Sequence, residues 1–177
     1  MKKFFLFSTI ILIIAACSIN TIKIHDEFIE NVPYAKSTEI IYEENVENGE
    51  IILYKDETGF RIAFRSDSTG DWTHSSNAEL KPKDGVNWTM NNDPTIPIAM
   101  FAGVITTEKI IQVIVKQRTL ENEAKIIETS EGMRVWFTIF DTLEESDSGE
   151  PDPLKIEAFG SNGNLLWKDG VYEKEAF

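Results

Sequence analysis

From Glu39 onward the apolar residues of this chain recur at a period of two, which places them on one face of an extended strand. Ile40, Tyr42 and Val46 open the pattern, and Asn48-Gly49 follows as a turn whose residues tolerate positive φ. Glu50–Lys55 and Phe60–Arg65 continue it, separated by the turn residues Asp56 to Gly59, so the stretch predicts a three-stranded meander. In its last run Phe60, Ile62 and Phe64 share one face while Arg61 and Arg65 share the other. Residues 66–97 break the rhythm with Gly70, Pro82, Gly85, Pro94 and Pro97, and only Val86 to Met90 reads as a strand there. Next come Ile98–Thr106 and Lys109–Gln117, joined near Thr107-Glu108 and apolar on both faces, the pattern of a central pair covered on both sides. Glu123–Glu128, Met133–Asp141, Leu154–Gly160 and Leu165–Lys168 complete about ten strands. No connection has room for the crossover helices that a parallel sheet requires, so the expected fold is an all-β antiparallel sandwich.

The start of the chain follows a different rule. Lys2 and Lys3 precede a mainly apolar run from Phe4, interrupted at Ser8-Thr9, that closes on Ile14-Ala15-Ala16-Cys17. The run is shorter than the roughly 20 residues that a membrane-spanning helix needs. A charged head, an apolar stretch and small residues at its end form a secretory signal, and the last four residues resemble the lipobox of bacterial lipoproteins. That resemblance implies cleavage before Cys17 and a diacylglyceryl group on its thiol, with acylation of the new amine. Cys17 is the one cysteine in the sequence, so no disulfide can staple the fold, and an exported protein with a lone free thiol would be unusual. After Cys17, Asp26 is placed to cap a short helix with Phe28, Ile29 and Val32 on one side, and Pro33 to stop it. The expected organisation is a lipoprotein signal peptide over residues 1–16, a lipidated tether with a short helix over 17–37, and the all-β domain over 38–177.

Charge narrows the partners. Removing residues 1–16 takes away two lysines and no acid, leaving 15 basic against 30 acidic residues, a formal charge of -15. Such a field repels a phosphate backbone, and no basic patch with interleaved aromatics offsets it, so nucleic acid is excluded as a partner. An anionic membrane surface is repelled as well, which leaves the lipid as the membrane anchor. The expected location is the extracytoplasmic face of a bacterial membrane.

Candidate chemistry is sparse. His25 and His74 are the two histidines, and neither sits in a nucleophile motif. No zinc ligand set is legible either, so no cofactor is expected apart from a candidate calcium loop. There Asp141, Glu144, Glu145, Asp147, Glu150 and Asp152 concentrate carboxylates of the kind a hard cation takes, although without EF-hand spacing. The plainer reading is a solvated acidic hairpin connection. Paired carboxylates also keep a cell-wall or glycan hydrolase as the alternative function, with no pair singled out. Of the four tryptophans, Trp136 and Trp167 lie in strand patterns and read as core. Trp72 and Trp88, with His74, flank the polar loops of residues 66–97 and are the candidate binding residues for an envelope glycan or a protein partner.

A second resemblance covers roughly the C-terminal two thirds. Gly103-Val104-Ile105, Ala124 to Ile127, Arg134-Val135-Trp136-Phe137 and Lys155 to Gly160, continuing to Gly163 and Leu165, resemble a group of small exported proteins of Gram-positive bacteria whose function is uncharacterised. These are strand and turn positions, so the resemblance implies a fold and carries over no catalytic residue. The expected function is a membrane-anchored, non-enzymatic binding or structural module of the cell envelope.

Overall fold

The computed structural model describes residues 25–141 and 153–171. The chain divides into two compact units, Met1–Thr38 and Glu39–Phe177. In the first, a helical segment occupies residues 25–31, with Phe28 and Val32 buried and Ile29 half-buried. Asp26 lies inside this helix and not at its cap, because helical structure already includes His25. The helix ends just before Val32-Pro33, where the chain goes over into turns.

The second unit is an all-β antiparallel sandwich. Among the described residues it holds twelve strands in three four-stranded sheets. The first sheet is the expected meander, β1 (Glu39–Val46), β2 (Gly49–Asp56) and β3 (Gly59–Ser66), extended by the short β4 (Trp72–His74). Asn48 takes the left-handed conformation at φ 66° in the β1–β2 turn, as its short polar side chain allows. The middle sheet runs β5 (Val86–Asn91), β6 (Ile98–Ile105), β10 (Arg134–Asp141) and β9 (Lys125–Glu128). The third sheet runs β12 (Leu165–Val171), β11 (Leu154–Gly160), β7 (Ile110–Gln117) and β8 (Leu120–Glu123).

Two cores explain the three layers. Ile51, Leu53, Phe60, Ile62 and Phe64 of the first sheet pack with Met100, Ala102, Val104, Val135 and Phe137 of the middle one. The opposite face of the middle sheet, with Phe101, Ile105, Trp136 and Phe140, packs with Val113, Val115, Ile156 and Ala158 of the third. Every residue of β6 is therefore buried, which is why its sequence is apolar without interruption. Gly103 sits opposite Trp136 in the β6–β10 register, and the indole occupies the space a side chain there would need.

The expected central pair separates here. β6 belongs to the middle sheet and β7 to the third, so residues 106–109 cross between layers and do not close a hairpin. β7 is buried on one face only, and Ile111 is 55% exposed at a β-irregularity opposite Phe159 and Gly160. The expected strand Glu123–Glu128 is likewise divided. β8 pairs with β7 and β9 with β10, and the buried Ala124 is the point where the chain passes from the third sheet to the middle one.

Candidate functional site

All three sheets turn over at the end where β1 begins. The β2–β3 turn, the loop before β5, the 106–109 crossing, the turn before β10 and the loop before β12 meet there. Between the end of β2, the loop before β5, the 106–109 crossing and the turn before β10 lies a depression of about 750 Å³. Leu80 and Met133, both packed against the first core, lie with Val104 and Ile105 in its apolar lining, and Lys55, Lys81, Glu108, Glu128, Glu131 and Arg134 are its charged residues. Its volume falls in the range of about 300–1,000 Å³ typical of small-ligand sites.

The surrounding loops are fixed by local bonds. The Thr129 amide donates to the Met133 carbonyl at 2.8 Å, the Gly132 amide donates back to Thr129 at 2.9 Å, and Gly132 supplies the positive φ of 78°. On the opposite rim the Thr106 amide donates to the Gly85 carbonyl at 2.9 Å, and the Thr106 hydroxyl to the Pro82 carbonyl at 3.2 Å. Arg134 is a strut between layers, its guanidinium donating to the carbonyls of Thr107 at 2.8 Å and Ile110 at 2.7 Å. Lys55 stands between Glu39 at 3.0 Å and Glu131 at 3.5 Å. The hydrogen bond to Glu39 raises the lysine pKa above its usual value, with Glu131 adding to it. Both glutamates are largely exposed, so these pairs orient the rim more than they stabilise the fold.

A second, smaller depression of about 340 Å³ continues from the first across Thr107, between Lys83 and Asp84 on one side and Lys109, Leu166 and Trp167 on the other. Among the described residues after Glu39, three lysines have no hydrogen-bonding or ion-pair partner for their ammonium groups: Lys81, Lys83 and Lys109. All three are exposed, and all three border these two depressions. Nothing in the sequence singles them out, since they lie on separate loops and only the packing of the sheets unites them.

Trp72, His74 and Trp88 lie elsewhere. None of them lines either depression. Trp72 and His74 are half-buried on the edge strand β4, in a segment that reads as loop from its composition. The Tyr54 hydroxyl and His74 Nδ1 are 3.0 Å apart, with the two rings edge to face at 5.9 Å. Burial pushes the Tyr54 hydroxyl up to about 12 and pushes His74 down, and the nearby Arg61 charge lowers His74 further. Both groups are thus neutral at ordinary pH and form a structural contact with no free charge. Arg61 is itself held by Asp56 at 3.1 Å and by the Ser75 carbonyl at 3.0 Å. Burial alone would raise the Asp56 pKa, but hydrogen bonds from the Thr58 hydroxyl and amide, together with Arg61, bring it below the usual value.

Trp88, on β5, joins two sheets. Its indole N–H donates to Asp169 Oδ2 on β12 at 2.9 Å, and its ring packs on Phe101 with centroids 6.4 Å apart. Because β5 and β12 are edge strands, this bond spans the side of the middle and third sheets opposite Ala124.

Asp141 is exposed at the end of β10, and Glu144, Glu145, Asp147, Glu150 and Asp152 lie outside the described residues, as does Cys17. Among the described residues no group of three or more His, Cys, Asp or Glu side chains is arranged to hold a metal ion. No helix of the described residues is long and apolar enough to cross a membrane. Compared with protein-family models, curated proteins and solved structures, the chain matches none, so its geometry and sequence carry the functional argument.

Proposed function

We propose that this chain is a lipid-anchored, extracytoplasmic module of the bacterial cell envelope that binds a partner without turning it over. The depression between the Pro82, Thr107 and Gly132 loops is the contact surface. The observation that carries this reading is the chemistry of that depression. An apolar lining of Leu80 and Met133 lies inside a rim of both charges, on loops whose hydrogen bonds hold them in place. Loops positioned by a packed scaffold are how binding surfaces are commonly presented. The lipobox ending at Cys17 supports the location, with the diacylglyceryl group as the membrane partner.

Retention of the detergent-solubilised protein on isolated cell envelopes tests the reading. Lys81→Glu combined with Glu108→Lys reverses the rim while leaving the lining intact, and the expected result is lost retention at an unchanged melting temperature. Retention equal to that of the unmodified protein overturns the assignment of the surface. Release of soluble glycan fragments from those envelopes, abolished by Glu108→Gln or Glu131→Gln, would instead favour the carboxylate-dependent hydrolase.

A further inference from the structure

We infer that the same end of the sandwich is a membrane-docking face, on which the domain rests against the phospholipid headgroups, which are then the partner that the depression and its rim contact. The inference builds on the lipid-anchor reading and goes beyond it, since a lipid on a tether fixes no orientation. Three independent features converge on this end. The first is apolar exposure. Four large apolar side chains are exposed among the described residues after Glu39, and Ile111 at 55%, Leu165 at 45% and Leu166 at 41% lie at this end, with Leu120 alone at the other. The half-buried Phe159 pairs with Leu165 across β11 and β12 and extends the patch.

The second feature is the set of ammonium groups on Lys81, Lys83 and Lys109, which have no partner among the described residues and border the two depressions beside that patch. Lysine suits an interface of this kind, because its stem lies along apolar surface while its charge reaches the headgroup phosphates. Glu39, Glu57, Glu79, Asp84, Glu108, Glu128 and Glu131 stand at the same end, so the four lysines here, with Lys55 counted, leave it with an excess of acid. Net charge therefore does not draw this end to an anionic membrane, and each lysine acts locally. Docking here depends on aliphatic side chains first and on lysine second.

The third feature is the path of the chain. The polypeptide arrives from the residues following Cys17 at Glu39, and Glu39 bonds to Lys55 on the rim of the depression. The first strand of the body thus begins at the end that carries the patch. Among the described residues the loops at the far end are different in kind, with Glu47, Asp67, Asp71, Asp93 and Asp141 and no exposed large apolar side chain beyond Leu120. Two or three acyl chains already hold a protein to the bilayer, so a small patch of this type adds orientation more than affinity.

The test uses the full-length lipidated protein in vesicles of phosphatidylcholine and phosphatidylglycerol carrying a doxyl-labelled phospholipid. Acylated Cys17 has no free thiol, so a cysteine introduced at Leu165, Lys83 or Asp67 is the one site for a bimane label. Bimane at positions 165 and 83 should be quenched by the doxyl lipid, and bimane at position 67 should not. Leu166→Glu should abolish quenching at position 83 while flotation with the vesicles persists. Flotation without quenching at positions 165 and 83, or equal quenching at all three sites, overturns the docking face and leaves the anchor standing. Labelling of the unmodified protein at Cys17, with no flotation, overturns the anchor and the docking face together.

Discussion

The indole of Trp136 closes on Gly103, its partner in the β6–β10 register, so that a Cβ built on the glycine would stand 2.6 Å from Trp136 Nε1 and would also collide with the Asn87 carbonyl. Trp136 is fully buried in the core between the middle and third sheets, and β6 is covered on both faces, so neither can yield. Gly103→Ala should destabilise the protein by about 1–3 kcal/mol, the usual cost of overpacking a close-packed core. Urea unfolding measures this through the midpoint, and an unchanged midpoint would show that the indole can move aside.

Trp88 and Asp169 give a second quantitative expectation. Their bond joins β5 to β12 and is partly exposed, so removing it should cost about 1 kcal/mol and not several. Trp88→Phe keeps the ring against Phe101 and loses the N–H, while Asp169→Ala loses the acceptor. In a double-mutant cycle the two losses should not add, with a coupling of about 0.5–1.5 kcal/mol. Full additivity would mean that the two residues act separately.

The burial of His74 makes stability depend on pH. Burial, followed by the Arg61 charge, depresses the His74 pKa in the folded state below the ordinary 6.5. Below pH 6.5 the unfolded chain takes up a proton that the folded chain does not, so stability falls as pH falls from there through the lower folded value. The contribution is complete above the unfolded pKa. His74→Phe should flatten the dependence of the unfolding midpoint between neutral pH and mildly acidic pH. An equally steep slope in the variant would assign the dependence to carboxylates.

Anchoring has a direct chemical readout. Cys17→Ala removes the only thiol in the sequence, and it should abolish metabolic labelling with a fatty acid and move the protein out of the membrane fraction. Labelling that survives the substitution would end the lipoprotein reading.

The meander was legible because Phe60, Ile62 and Phe64 alternate cleanly with Arg61 and Arg65, and because Asn48-Gly49 carries its turn chemistry in its composition. The double burial of β6 was legible for the same reason, since uninterrupted apolar sequence has only one use in a sheet protein. β7 misled because Ile110, Ile111, Val113 and Val115 look two-sided when read at strict period two. A β-irregularity at Ile111 shifts the phase, and only one face is covered. β4 escaped notice because three residues between polar loops give no period at all. The lysines of the candidate site, at positions 81, 83 and 109, belong to loops whose proximity is a property of sheet packing. No spacing along the chain encodes it.

The passage of one strand between two sheets at Ala124 also bears on self-association. An open sheet presents an unpaired edge on which another chain can add a strand, and the hazard grows with the length and flatness of that edge. Here the edge is divided between β8 and β9, each only four residues long and lying in a different sheet, with the buried Ala124 between them. A neighbouring molecule laying an extended segment along β8 would lose its register within one residue of reaching β9. For proteins crowded side by side on a surface, that break keeps stacking into fibrils from propagating along this side.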